Sequence, residues 1–347
     1  MSSDLRLGVD QHRTSSTSTL RKFRLKRSSF LGAVAAGSAS FALPLVSGAQ
    51  TAPKLLVGYW PVSAALPFFV AEKMGFFTAA GIDVELVKFA DQVKVTEALL
   101  AGRIDATATG TGSTQLALAQ IAQPNLFKIL AANLSNAKSV LDEIIVAKGA
   151  PYKKISDLKG KRLATGVGPQ AVLEAQLIFA KNGIDTAPME MSPSQHIASI
   201  AAGQIDAAYT YEPNGTVGRL DGTTSVLEGG VRSKYLLGDA NAPWYGGAAV
   251  LSTDFSTKHP AFVKKYVAGM KRGFDEVRTK IDAARRIYPD YTRFDAKLAE
   301  AVPALDYTLY DEFHAYEIGY FQKNYDLFAE KHILSHKLDV ASMIYRP

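Results

Sequence analysis

Two short motifs occur twice in this chain, roughly a hundred residues apart, and this repetition constrains the fold more than any other feature. AGID at residues 80–83 returns as NGID at 182–185, and AGRIDA at 101–106 returns as AGQIDA at 202–207. Each glycine can take the left-handed conformation that ends a helix before a buried, isoleucine-led strand. We predict two units of one kind. Alternatively, helix-to-strand junctions simply look alike in any α/β protein, which leaves the architecture unchanged.

Short apolar runs alternate with longer helical patterns, which is typical of parallel α/β sheets. Predicted strands of the first unit are residues 54–60, 82–89 and 104–109, and its predicted helices are 67–80, 92–100 and 113–123. The second unit has strands at 162–167 and 205–211 around a helix at 171–182. Beyond it we predict a strand at 246–252, a helix from Pro260, and a helical, aromatic-rich tail over 289–347 that packs on a lobe.

The first 49 residues have the layout of a secretory signal peptide. A basic stretch, RKFRLKR, precedes an apolar stretch over 30–46, and small residues follow before Gln50. The apolar stretch is interrupted by glycine, serine and Pro44 and is short for a membrane span, so a retained anchor is the weaker interpretation. The KRSSFL sequence at 26–31 also resembles a twin-arginine export signal, which leaves the export route open. We predict a periplasmic protein without stable membrane insertion after cleavage.

Charge and cysteine content exclude several classes of function. Seven of the 39 basic residues but two of the 33 acidic residues lie before residue 50, so the remaining charges nearly cancel and do not indicate nucleic-acid binding. The sequence has no cysteine, which excludes disulfides, thiolate metal sites and cysteine nucleophiles. His332 and His336 have the spacing of metal ligands on a helix, but no third ligand accompanies them. We predict neither a metal site nor a cofactor.

Ligands of open parallel sheets bind beyond the carboxyl ends of the strands, where helix N-termini also point. Four loops follow such strand ends and form two matching pairs, at residues 58–63, 109–114, 166–170 and 209–213. They contain glycines, small hydroxyl residues and aromatics, with Glu212 as their one charged residue. Candidate ligand-binding residues in these loops are Tyr59, Trp60, Pro61, Gly110, Thr111, Gly112, Ser113, Gly168, Gln170, Tyr211 and Glu212.

Structural roles compete with ligand binding at several of these positions. Tyr59 and Trp60 can be core residues at a strand end, and Glu212 with Pro213 suits the start of a helix. The GTGST loop matches neither the dinucleotide nor the P-loop pattern. The four loops also lack a nucleophile paired with a base, so we predict binding without catalysis.

The ordered motifs resemble those of substrate-binding proteins of ABC importers in the nitrate, sulfonate and taurine group, which is similar also to pyrimidine-precursor binding proteins. The resemblance runs through GYWP (58–61), LPFFVAEKMGFFTAAGIDVELVKF (66–89), ALLAGRIDATATG (98–110), DLKGKRLATGVG (157–168) and AAGQIDAAYTYEP (201–213). It implies the two-lobed periplasmic-binding-protein fold of the two-crossover type. Each lobe would be a mainly parallel sheet flanked by helices, with a helical C-terminal tail.

The resemblance also implies how this chain is divided and what it binds. Residues 53–141 and 247–347 would form one lobe and 142–246 the other, with crossovers near 142–147 and 246–250. The partners would be a small-molecule ligand and an ABC permease with its ATPase, and the receptor would work as a hinged monomer. The alternative is an enzyme on the same fold, acting without a cysteine nucleophile on sulfinates or on pyrimidine or quinone precursors.

The candidate ligands are a sulfonate-, taurine- or nitrate-type anion and an aromatic or heteroaromatic compound. Pro169 stands where sulfonate binders often have a Gly-Ser or Gly-Gly loop, and proline removes one backbone donor. Tyr59, Trp60, Tyr209 and Tyr211 are candidate aromatic walls. These features favour a larger, partly apolar or aromatic compound.

Overall fold

The computed structural model describes residues 53–347, and the predicted signal peptide at residues 1–49 lies outside this part. Its β-strands are β1 Lys54–Tyr59, β2 Asp83–Lys88, β3 Ala106–Thr107, β4 Thr111–Gly112, β5 Phe127–Ser135, β6 Asp142–Ala147, β7 Leu163–Thr165, β8 Met189–Glu190, β9 Ala207–Tyr211, β10 Thr224–Gly229, β11 Trp244–Ser252 and β12 Asp306–Leu309.

Helices cover the faces of the sheets. They are α1 Leu66–Lys73, α2 Phe76–Ala79, α3 Gln92–Leu100, α4 Ser113–Ala122, α5 Pro169–Lys181, α6 His196–Ala201, α7 Asn214–Leu220, α8 Thr253–Lys258, α9 Pro260–Thr279, α10 Ile281–Arg285, α11 Tyr288–Tyr291, α12 Ala296–Ala301, α13 Ala315–Glu330 and α14 Val340–Met343. Short 3-10 turns occur at Ser63–Ala65, Ile155–Leu158 and Pro193–Gln195, and a π-turn at Ser233–Leu237. Among these described helices, none combines the length and apolar character that crossing a membrane requires.

The strands form two sheets with the same central arrangement. The first runs β12-β5-β11-β3-β1-β2, with β4 paired to β11, and the second runs β10-β6-β9-β7-β8. Strand β1 is parallel to β2 and β3, just as β7 is parallel to β8 and β9. Strands β11 and β12 extend the first sheet antiparallel, and β6 and β10 extend the second. The two-sheet α/β fold is confirmed, and each sheet is mixed rather than purely parallel.

The repeated motifs make matching backbone hydrogen bonds and left-handed glycine turns in both sheets. The aspartate of each Ile-Asp-Ala motif accepts a backbone hydrogen bond from the parallel neighbour of its strand: Oδ2 of Asp105 from Leu56 N of β1 at 3.0 Å, and Oδ2 of Asp206 from Arg162 N, just before β7, at 2.8 Å. Each aspartate also donates its own N–H to the carbonyl of that same residue. The four repeat glycines, at 81, 102, 183 and 203, all have φ between +63° and +74°. The repeat thus ends a helix and joins β3 to β1 in one sheet and β9 to β7 in the other.

Strand alternation divides apolar side chains between the two faces of the first sheet. On β1, Leu55, Val57 and Tyr59 point into the core under α1 and α9, whereas Leu56 packs on the opposite side. Helices α1 and α9 approach closely because Gly273 has no side chain there, since a Cβ would lie 2.2 Å from a backbone carbonyl of α1.

Three predicted elements differ in the structure. The helix predicted over 67–80 is interrupted at Gly75, whose φ of +68° is left-handed. The tail predicted as helical contains β12, which pairs antiparallel with β5 and places Tyr307 edge-on to Phe274. The two crossovers were expected near 142–147 and 246–250, but these residues lie within strands β6 and β11. The chain passes between the sheets just before them, at 136–141 and at 230–243. The two connections touch, because a Cβ on Gly230 would lie 2.9 Å from backbone atoms of Asn136.

Candidate functional site

A cavity of about 580 Å³ lies between the two sheets, at the carboxyl ends of their parallel strands. From the first sheet it is lined by the segments after β1 and β3 and by the start of α3. From the second sheet it is lined by the segments after β7, β8 and β9 and by the second connection. The site therefore lies where the loops of both sheets meet, as expected for a ligand site in α/β proteins.

The structure brings some of the predicted residues together at this cavity and places others elsewhere. The cavity is lined by Trp60, Gly110, Gly112, Gly168, Gln170, Tyr211 and Glu212. Tyr59, Pro61, Thr111 and Ser113 are not among its lining residues. Tyr59 shares the core face of β1 and packs edge-on to Phe69, with ring centroids 5.1 Å apart. Thr111 and Ser113 are buried and donate their hydroxyl hydrogen bonds to the backbone carbonyls of Ala108 and Tyr245.

Hydrogen bonds and close packing fix the wall from the first sheet. The indole Nε1 of Trp60 donates to the carbonyl of Gly110 at 2.9 Å, and the N–H of Gly110 donates to Oδ1 of Asn133 at 2.9 Å. A Cβ on Gly112 would lie 2.4 Å from Oε1 of both Gln92 and Gln115, so glycine there makes room for two amide side chains. Both amides line the cavity, and among the described residues Oε1 of Gln115 has no hydrogen-bond partner.

A buried carboxylate organises the wall from the second sheet. Glu174 accepts hydrogen bonds from Nε2 of Gln170 at 2.9 Å and from the hydroxyls of Tyr209 and Tyr211 at 2.7 and 3.0 Å. Burial raises the pKa of both tyrosine hydroxyls well above the ordinary tyrosine value, and the charge on Glu174 raises it further. The two hydroxyls therefore stay protonated as donors, and Tyr211 and Gln170 are held at the cavity surface.

Glu212 belongs to a second group of charges, whose other members, Glu143 and Arg219, do not line the cavity. Its Oε1 accepts a hydrogen bond from Nη2 of Arg219 at 2.8 Å, and Nη1 of the same arginine donates to Glu143 at 3.0 Å. The two carboxylate side chains are only 1% and 3% exposed. Burial, then the charge of and hydrogen bond to Glu212, raises the pKa of Glu143 to about 8 despite Arg219. One guanidinium faces two buried carboxylates, so Glu143 holds its proton to a higher pH than an exposed glutamate does.

Arg232 lines the cavity and does not belong to any of the four predicted loops. It is 3% exposed and lies in the second connection between the sheets. Its Nε is 3.2 Å from Oδ1 of Asp142, and its guanidinium lies 5.1 Å from the ring of Tyr211 and 5.7 Å from that of Trp244. None of the four predicted loops contains a basic residue, so reasoning from those loops missed Arg232. The glycine pair at 229–230, shortly before Arg232 in the sequence, indicates that the backbone packs closely there.

Three helices begin at the cavity. Gln92, Gly112 and Pro169 stand at or just before the first residues of α3, α4 and α5, and all three line it. The first N–H groups of a helix have no partner within that helix and carry partial positive charge. Within residues 53–347 no group of three or more His, Asp or Glu side chains is placed to hold a metal ion. The lining thus offers N–H groups, amides, aromatic rings, one guanidinium and the carboxylates of Asp91 and Glu212.

A family model described as NMT1/THI5 like matches residues 63–284, which is more than half of the chain. A protein of Brucella abortus named as a binding protein is 29% identical over 195 residues, covering 54% of this chain and 56% of that protein. This chain therefore matches little more than half the length of that relative. A protein of Escherichia coli named for binding aliphatic sulfonates is 24% identical over 274 residues, covering 76% of this chain and 80% of its own.

Solved structures share the fold at low sequence identity. The periplasmic aliphatic sulphonate binding protein SsuA of Escherichia coli has a TM-score of 0.68 at 20% identity, over 85% of this chain and 92% of its own. The alkanesulfonate-binding protein SsuA of Xanthomonas axonopodis pv. citri, bound to MOPS, has a TM-score of 0.64 at 23% identity, over 85% and 99%. A mutant of DszB in complex with biphenyl-2-sulfinic acid has a TM-score of 0.59 at 15% identity, over 84% and 96%.

Proposed function

Because this chain belongs to the NMT1/THI5-like family, we propose that it is the solute-binding component of an ABC importer. It captures a small organic ligand in the cavity between its two sheets and delivers it to a membrane permease with its ATPase. The observation that carries this proposal is the cavity itself, which both sheets line and two adjacent connections border. Such a site closes by hinge motion at the connections.

The proposal includes the division of the chain and its location. Residues 53–141 and 247–347 form one lobe and 142–246 the other, with the signal peptide at 1–49 directing the protein to the periplasm. The strands support this division, since the first sheet takes β1–β5, β11 and β12 and the second takes β6–β10. At the second boundary β11 already begins at Trp244, so residues 244–246 belong to the first sheet. The aliphatic sulphonate binding protein that shares the fold is periplasmic by its name.

The size of the cavity favours an organic ligand over a small inorganic anion. Each water of the liquid occupies about 30 Å³, so a cavity of about 580 Å³ has room for roughly twenty waters. Nitrate would fill a small part of that space, whereas an organic acid with a ring or alkyl chain would fill much more of it. Trp60 and Tyr211 offer flat apolar walls to such a body.

We also propose that the cavity binds its ligand without chemical change. Ser192 lines the cavity and is a candidate nucleophile. Its hydroxyl forms a hydrogen bond of 2.8 Å with the hydroxyl of Ser194 rather than with a histidine. The buried His196 is not among the lining residues, and burial lowers the pKa of its imidazole. A nucleophile without a base nearby is weak.

A thermal-shift screen of the purified protein tests the proposal. The panel contains nitrate, taurine, alkyl and aryl sulfonates, aromatic carboxylates and pyrimidines. A ligand at about 100 times its dissociation constant stabilises the folded state by about 2.7 kcal/mol, a shift of a few degrees. A selective shift with the compound recovered unchanged supports a receptor. A compound recovered altered supports an enzyme on the same fold, and a panel without any shift contradicts the proposed ligand class.

A further inference from the structure

Arg232 is fixed in place by the protein before any ligand arrives. Its backbone N–H donates to Oδ2 of Asp142 at 2.9 Å, and its Nε lies 3.2 Å from Oδ1 of the same carboxylate. The guanidinium lies against the rings of Tyr211 and Trp244. Asp142 is the first residue of β6, directly after the first connection, and Arg232 lies in the second. The arginine is thus held at the floor of the cavity, where both connections meet.

The outer edge of this guanidinium, formed by Nη1 and Nη2, is only partly matched by the protein, through a long ion pair of Nη1 with Glu174. Among the described residues Nη2 is buried and has no hydrogen-bond partner. Nη1 lies 3.8 Å from Oε2 of Glu174, beyond hydrogen-bond length. That carboxylate already accepts hydrogen bonds from Gln170, Tyr209 and Tyr211. Leaving charged donors buried without an acceptor is costly, so this edge is suited to an acceptor from outside the protein.

Gly246 places no side chain over this edge. It lies at a register shift in β11 between Tyr245 and Gly247, and it lines the cavity together with Arg232. A Cβ at this position would lie 3.1 Å from Nη1 and 3.5 Å from Nη2 of Arg232. Any side chain here would cover the guanidinium edge, and bulges commonly re-aim the chain next to binding sites.

From these contacts we propose, resting on the proposed function, that the Nη edge of Arg232 binds the acid group of an organic anion. A carboxylate or sulfonate can accept two parallel hydrogen bonds from this edge. Asp142 and Glu174 already offset the charge of the arginine, so the anchor acts through directed hydrogen bonds, and the N-termini of α4 and α5 at the same cavity supply positive potential. The remainder of the ligand lies against Trp60 and Tyr211.

Matched pairs of acid and neutral isostere test this proposal by calorimetry. The probes are benzoate and benzamide, benzenesulfonate and benzenesulfonamide, and hexanoate and hexanamide, with benzylamine as the cation. Each acid should bind at least about tenfold more tightly than its amide, as expected for a charge-assisted bidentate pair. This comparison uses the unaltered protein and does not depend on any variant folding.

Two substitutions locate the effect at the Arg232 edge. Gly246→Ala keeps the arginine and its pair with Asp142 but covers the Nη edge, so the preference for acid over amide should fall about tenfold. Arg232→Gln should abolish that preference, with circular dichroism and thermal melting reporting whether the protein is folded. Gly319→Ala is the matched control, because nothing lies within 4 Å of its Cβ position on α13.

The outcomes separate this inference from the proposed function. If an amide or benzylamine binds as tightly as the acids, or if folded Gly246→Ala keeps the full acid preference, the Arg232 anchor is refuted and the solute receptor stands. If no acid, amide or amine in the panel binds, both are refuted.

Discussion

The buried carboxylates of Glu143 and Glu212, paired with the partly exposed Arg219, predict a pH dependence of stability that one substitution should remove. The folded protein raises the pKa of Glu143 from 4.5 to about 8, first by burial and then through Glu212. The folded state therefore binds this proton more tightly than the unfolded state does. The resulting stabilisation is complete below pH 4.5 and is lost as the pH rises through about 8.

The magnitude follows from the two pKa values. One pH unit corresponds to about 1.4 kcal/mol, so the interval from 4.5 to about 8 amounts to about 5 kcal/mol. Glu143→Gln should remove this dependence, because the amide has the shape of a protonated carboxyl and can donate to Glu212 while its oxygen accepts from Arg219. The backbone at Gly215 approaches this side chain closely, which leaves room for an isosteric replacement and little else.

Urea unfolding at pH 5, 6, 7 and 8 measures the effect. Relative to Glu143→Gln, the unaltered protein should lose about 1.4 kcal/mol of unfolding free energy per pH unit across this range. Glu85→Gln is the control, since the Glu85 side chain is 53% exposed and a surface ion pair contributes little. Parallel curves for the unaltered protein and Glu143→Gln would refute the raised pKa of Glu143.

Three further predictions concern packing, the repeat and the cavity. Gly273→Ala should destabilise the protein by about 1–3 kcal/mol in urea unfolding because its Cβ would meet the α1 backbone, whereas Gly319→Ala should not destabilise it; equal midpoints would contradict this packing. Asp105→Ala should cost about 1–3 kcal/mol by leaving a β1 N–H without its acceptor, as a lower melting temperature would show. Trp60→Ala and Tyr211→Ala should each weaken ligand binding by about 1–3 kcal/mol in calorimetry with circular dichroism unchanged; unchanged affinity in both would mean that the ligand binds elsewhere.

The repeat made the centre of each sheet predictable. Glycine has a local reason to precede each strand, and the aspartate after it makes a backbone hydrogen bond that any third strand of this kind can form. The antiparallel strand β12 was not predictable in this way. Its pairing with β5 is a long-range contact, and four residues between helical segments carry no periodicity of their own. Long-range pairing therefore overrode the local helical pattern.

Strand alternation explains why one of two adjacent aromatic residues lines the cavity and the other does not. Tyr59 and Trp60 are adjacent in sequence, but Tyr59 is in phase with the core face of β1, and only Trp60 reaches the cavity. The alternation of Leu55, Val57 and Tyr59 was visible in the sequence and could have separated the two aromatics. Thr111 and Ser113 are small hydroxyl residues whose backbone acceptors appear only once the chain is folded.

The position of the cavity was predictable from the sequence, but the basic residue in its lining, Arg232, was not. The walls come from strand ends that the repeat duplicates, so their location follows from the fold. The second connection, over 230–243, has no counterpart among the repeated motifs, and it supplies the guanidinium that the repeated loops lack. In such a fold the repeated strands determine the position of the cavity. A substitution in the unrepeated connection can change the charge of the ligand that the cavity binds, without altering either sheet. Ligand charge should therefore follow residue 232 rather than the glycine loops that surround it.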